Sequence, residues 1–228
     1  MTWDATYVDA RGRFPATIAN DGETLVLSVL SATFSGYDFS ELAPQPNMPE
    51  AQLDGFILRG GKLAACEIVL TMNLPLIVDA QLAEGALVIE VRLRGPGPDN
   101  GCYEALNLTL TFGDARFTVS DTENAKGYIG FEDQLLDLIV KLPPGLSIKS
   151  CFTCQYADYG VLGSPSFGGM MCFRTHKSAY DSVRTKYDFM GLEDQFDRNV
   201  QETWLCPDYT PRQANAGYRG WPESTSKS

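Results

Sequence analysis

Apolar and polar positions alternate along much of the first half of the chain. Leu106, Leu108, Leu110 and Phe112 are interleaved with Asn107, Thr109 and Thr111, the period-two pattern of a strand with one buried face. Leu87, Ile89, Val91 and Leu93 alternate with Val88, Glu90, Arg92 and Arg94, and Cys66, Ile68 and Leu70 face away from Glu67 and Thr71. Leu25 to Leu30 forms a shorter, mostly apolar run. Turn residues separate these runs at Asn20-Asp21-Gly22, Arg59-Gly60-Gly61-Lys62, Glu84-Gly85, Gly95-Pro96-Gly97-Pro98 and Gly113-Asp114. Short strands at this spacing predict an antiparallel sandwich or an open barrel. Pro44 to Pro49 holds three prolines in six residues, which predicts a loop.

The period changes at Phe131. Phe131, Leu135, Leu138, Ile139 and Leu142 follow helical spacing, with Glu132 and Asp133 in the first turn and Lys141 near the end, as the helix dipole favours. Pro143-Pro144-Gly145 stops this helix, and Leu146 to Ser150 reads as a strand. Beyond Cys172 the spacing predicts two helices. One runs from His176 to about Phe189, capped by Thr175, with Ala179, Tyr180, Val183 and Tyr187 on one face. The other starts near Glu193, aligns Phe196, Val200 and Trp204, and ends at Cys206-Pro207. The fold class expected is α+β: an antiparallel β-sandwich-like body over 1–130 and a helical and loop region over 131–221 packed on it. Residues 222–228 are expected to form a disordered tail.

Four of the six cysteines fall in the last third: Cys151 and Cys154 as a C-x-x-C, then Cys172 and Cys206. A C-x-x-C turn lets two thiolates reach one tetrahedral ion, and later cysteines complete the shell. The reading is a structural zinc ion on Cys151, Cys154, Cys172 and Cys206, with His176, the single histidine, as an alternative ligand. Inert buried thiols, a redox C-x-x-C and an iron–sulfur cluster are the other readings. The redox reading lacks a βαβ frame, and the iron–sulfur reading lacks tight cysteine spacing. Cys66 and Cys102 lie in or beside β segments and read as packing residues.

Other candidate chemistry is sparse. The glycine-rich stretch Gly160 to Gly169 lacks the lysine of a phosphate cradle, and Pro165 removes an amide donor, so it reads as a structural turn. Asp158 is either a polar site residue or a turn aspartate bonded to its own backbone. Arg174, His176, Lys177, Arg184 and Lys186 form a locally basic stretch, either an anion site or a solvated helix face. Asp197, Arg198 and Glu202 fit an exposed helix. One histidine and no G-x-S-x-G leave no Ser–His–Asp arrangement to argue.

Composition and charge narrow the function classes. The chain has 228 residues, 44% of them hydrophobic, and a net charge of −11. Residues 1–150 carry 10 Lys/Arg against 20 Asp/Glu, and residues 151–228 carry 8 against 9. An acidic body disfavours nucleic acid, whose binding depends on neutralising phosphates. No apolar run is long enough to span a bilayer. The N-terminal residues show neither a basic start nor an apolar h-region, so no export signal is expected and the thiols are placed in a reducing cytoplasm.

The stretches Cys-Phe-Thr-Cys-Gln-Tyr-Ala-Asp-Tyr at 151–159, Phe-Gly-Gly-Met-Met-Cys-Phe-Arg at 167–174, Val-Gln-Glu-Thr-Trp-Leu-Cys-Pro at 200–207 and Gly-Tyr-Arg-Gly at 217–220 carry a resemblance. Over 151–220 the chain resembles an uncharacterised bacterial, actinobacterial-type family of unknown function. The resemblance implies a grouping and assigns no ligand, substrate or catalytic residue. The expectation is therefore an acidic binding or accessory protein with a structural zinc site and a protein or peptide partner. A closed four-thiolate shell leaves no coordination position for substrate, which argues against catalysis. Two alternatives stand beside it. One is an enzyme or modification factor built on Cys151, Asp158, Arg174 and His176. The other is an acidic partner that neutralises a basic, toxin-like protein.

Overall fold

The computed structural model describes residues 1–96, 103–121, 130–163, 166–214 and 216–218. Cys102 and the tail at 222–228 lie outside the described residues. In chain order the first strands are β1 (Thr2–Asp9), β2 (Gly12–Asn20), β3 (Leu25–Val29), β4 (Ala32–Gly36) and β5 (Ala43–Pro44). A small hairpin of β6 (Leu58–Arg59) and β7 (Lys62–Leu63) follows. The long strands β8 (Cys66–Val78), β9 (Gln81–Leu93), β10 (Tyr103–Phe112) and β11 (Ala115–Asp121) come next. Helix α1 (Phe131–Val140) leads to β12 (Leu146–Ile148), then β13 (Ala157–Tyr159) and β14 (Met170–Cys172). Two short helices, α2 (Lys177–Asp181) and α3 (Lys186–Leu192), precede β15 (Arg198–Val200).

Ten of these strands make one antiparallel sheet in the order β11-β10-β9-β8-β1-β2-β3-β4-β5, with β12 paired to the far end of β8. The fold is α+β, as the alternation predicts. Cys66, Ile68, Leu70, Met72, Leu74 and Leu76 of β8 are buried, while the residues between them are exposed or half-buried. The same rule places Leu87, Ile89, Val91 and Leu93 of β9 inward. A single apolar core gathers these faces, because every second residue of each strand points to the same side. The β8–β9 hairpin turns at Asp79 and Ala80, both left-handed at φ 48° and 67°, the conformation that a two-residue turn between twisted strands requires.

The sheet curls until its ends meet. Phe39, just beyond β4, stacks on Phe131 at the start of α1, 5.8 Å between ring centres, and Phe167 lies 5.0 Å from Phe131. Helix α1 packs on β10 and β11 through Phe131, Leu135 and Leu138. Among the described residues no helix is long and apolar enough to cross a membrane.

The C-terminal region departs from the expected pair of long helices. The first is split into α2 and α3 at Ser182 to Thr185. Arg184 Nη1 donates to the carbonyls of Asp181 and Val183 at the end of α2, and Thr185 caps α3 in a capping box with Asp188. Thr175 caps nothing; its amide and hydroxyl bond Asp197. The second expected helix is a single 3-10 turn at Glu193–Gln195 followed by β15, which pairs with β14. Tertiary pairing overrides the helical spacing there: Asp197 donates its amide to the Cys172 carbonyl, 2.7 Å, and continues the chain as a strand. Trp204 does not share a helix face with Phe196 and Val200. It covers Gly22, where a Cβ would come within 2.7 Å of the indole.

Candidate functional site

The four C-terminal cysteines come together because three separate segments pair beside them. Strand β12 delivers the chain to a 3-10 turn at Cys151–Thr153, closed by the Cys154 amide on the Cys151 carbonyl at 3.1 Å. The amides of Cys151 and Phe152 donate to the carbonyls of Trp204 and Glu202, which brings Cys206 alongside. Strand β14 pairs Cys172 with Ala157, and the Phe173 amide reaches the Tyr156 carbonyl at 2.8 Å. Cys151, Cys154 and Cys172 are buried and Cys206 is half-buried. Burial, and then the neighbouring thiols of Cys154, Cys206 and Cys172, push the Cys151 thiol far above its ordinary range. Burial likewise raises Cys172, with Asp197, Cys206 and Cys154 adding to it. The thiols thus share one neighbourhood. Among the described residues no three His, Cys, Asp or Glu side chains converge tightly enough to hold a metal ion as they stand. Cys66 packs in the body core, where burial pushes its thiol up to about 12.

The glycine-rich stretch turns out to cradle the chain's own carboxyl groups. The Phe167 amide donates to Asp38 at 3.3 Å and the Gly168 amide to Glu202 at 2.7 Å. Tyr103 and Ser40 donate their hydroxyls to Asp38, and the Tyr159 hydroxyl lies 2.8 Å from Glu202. Both carboxyl groups are fully buried. Burial raises Asp38, partly offset by its hydrogen bonds. Burial also lifts Glu202 to about 7, with the Asp38 charge adding to it and the Gly168 amide opposing it. Gly168 is left-handed at φ 86°, and a Cβ there would lie 2.8 Å from the Tyr37 carbonyl oxygen. Only glycine fits where two backbones meet this closely.

Asp158 sits in β13 rather than a turn. Arg212 donates to its carboxylate at 2.8 Å and to the Ala157 carbonyl at 2.8 Å, while Tyr180 donates to the same carboxylate oxygen at 2.8 Å. Both members of the ion pair are 4% exposed at the side chain. Its own next amide, that of Tyr159, adds a bond at 2.9 Å. Arg174 and His176 are half-buried; Arg174 pairs with Asp208 at 3.6 Å. Both cations help hold the Asp197 carboxyl below its ordinary value, although the Thr175 hydrogen bonds contribute more and burial opposes them all. Asp158 is therefore tied inward to Arg212, and Arg174 and His176 are turned toward Asp197.

Sequence reasoning missed Asp38, Glu202 and Arg212. Helical spacing put Glu202 on a solvated face, and nothing local marks Arg212 as the partner of a residue 54 positions earlier.

The chain belongs to the family of unknown function DUF6304, whose model matches residues 1–157. The match covers the β body through the C-x-x-C, whereas the residues that carry the resemblance in sequence begin at Cys151. No curated protein and no solved structure matches the chain.

Proposed function

We propose that the protein is a binding or accessory protein rather than a catalyst, and that Cys151, Cys154, Cys172 and Cys206 hold a structural zinc ion. The observation that carries this reading is the meeting of four thiols from segments up to 55 positions apart, at the seam between body and C-terminal region. Zinc would draw these sulfurs into one tetrahedral shell and supply folding free energy where strands of three residues and short helices bury little apolar surface. The non-catalytic part is supported by the commitment of Asp38, Glu202 and Asp158 to internal partners.

A second reading is favoured by the burial of three of these thiols and by the raised values of Cys151 and Cys172. They would then be small apolar packing residues without metal. Elemental analysis of untagged, anaerobically purified protein, with a parallel thiol count, separates the two. One zinc per chain, lost in Cys206→Ser, supports the site. Metal-free protein whose thiols titrate freely on unfolding overturns it in favour of packing.

A further inference from the structure

A cleft of about 270 Å³ opens where the β6–β7 hairpin folds over the ends of β8 and β9. Its floor is apolar and buried, made by Leu63, Ala64 and Leu93. Its rim carries three cations, Arg59, Lys62 and Arg94, against one carboxylate, Glu41. This concentration of positive charge lies in a chain of net charge −11. Ser40 also lines the cleft, but its hydroxyl is turned inward to Asp38.

The hairpin forces two of these cations together. Gly60 and Gly61 are both left-handed, at φ 58° and 79°, and form the two-residue turn that sets Arg59 directly opposite Lys62. Opposed residues of a hairpin project to the same face, and like charges in that position are destabilising. Lys62 pairs with Glu41, and Arg94 reaches the Tyr103 carbonyl at 3.5 Å. These contacts fix two of the cations at the rim and leave the cleft with an excess of positive charge.

We propose that this cleft binds a small organic oxyanion, a carboxylate or a phosphate monoester. Its charged end would lie between Arg59, Lys62 and Arg94, and its apolar part on Leu63 and Leu93. Guanidinium groups match the spacing of carboxylate and phosphate oxygens, and a flexible ammonium adds a point charge. The cavity is slightly smaller than the roughly 300–1,000 Å³ of drug-sized sites, which suits a ligand of metabolite size. The inference gives the binding reading a ligand class and rests on no property of the thiol cluster.

The test is amide NMR on the full chain in about 0.15 M salt, where charges separated by more than about 8 Å are screened. The probes are inorganic phosphate, phenyl phosphate and phenylacetate, titrated separately. The expected result is saturable one-to-one shifts confined to Gly60, Gly61, Leu63 and Arg94, tighter for the aromatic anions than for inorganic phosphate. Preference between phenyl phosphate and phenylacetate identifies the head group. Arg59→Gln and Lys62→Gln, at an exposed hairpin tip, should each weaken binding about tenfold, while Arg116→Gln on β11 should leave it unchanged. No saturable shift with any probe, or undiminished affinity in the folded Arg59→Gln/Lys62→Gln double variant, overturns the proposal. Metal content of the same samples is measured separately, so failure here leaves the zinc reading standing.

Discussion

The β body and the C-terminal region solve the problem of burial in opposite ways. In the body, β8 and β9 run 13 residues each and place every second side chain in one core. Polar contacts there sit mostly at the surface, as in the Glu67–Arg92 pair across β8 and β9. In the C-terminal region three strands of three residues and helices of five and seven residues offer no comparable apolar face. A small second cluster around Phe173, Tyr180 and Phe189 supplements the main core. Buried polar groups then decide how the chain closes: Arg212 on Asp158, and the glycine loop on Asp38 and Glu202. A region with short elements is specified by polar partners whose loss is expensive, because each partner left behind is an uncompensated buried group.

Two chemically similar ion pairs make the comparison testable. Arg212→Ala leaves Asp158 buried without its guanidinium, and denaturant unfolding should show a loss of about 3–5 kcal/mol. Hydrogen exchange should speed up over 157–183 before β8 and β9 change. Equal loss of protection in β8 and β9 would break the distinction between the regions. Replacing both members, Asp158→Leu with Arg212→Met, should recover a large part of the stability, since no lone charge then remains buried.

The carboxyl network gives the next effect. The Glu202 proton is held more tightly in the folded protein, at about 7, than in the unfolded chain, at 4.5. The contribution from this group is thus fully present below about 4.5 and is lost as pH rises through about 7. Relative to Glu202→Gln, the native protein should lose on the order of 3 kcal/mol across that window. The glutamine oxygen can still accept from the Gly168 amide while its NH₂ group meets the Tyr159 oxygen. Unfolding curves for both proteins from pH 4.5 to pH 8 check this, and parallel profiles would remove Glu202 as the titrating group. The smallest effect is expected for Arg92→Gln in the body. Arg92 is 51% exposed at the side chain and its partner Glu67 28%, so the change should cost less than about 1 kcal/mol.

Much of the body is legible in the alternation of Leu87 to Leu93 and Leu106 to Phe112, because a strand's side-chain period is a local property. Helix α1 is legible for the same reason, since Phe131, Leu135 and Leu138 lie on one face within ten residues. The short strands β13, β14 and β15 are not, because a three-residue strand shows no period of its own. Residues 196–204 even mimic a helix, and only the pairing of β15 with β14 turns them into a strand.

The sequence by itself determined the antiparallel body, its turns, the α1 helix and the presence of a cysteine set with metal-ligand spacing. Tertiary structure alone decided which cysteines are neighbours, that the glycine loop serves Asp38 and Glu202, that Asp158 answers to Arg212, and that Arg59, Lys62 and Arg94 share one cleft. The physical reason is range. Periodicity and turn chemistry act over a few residues, whereas these contacts join groups separated by tens of positions and exist only once the apolar faces have closed.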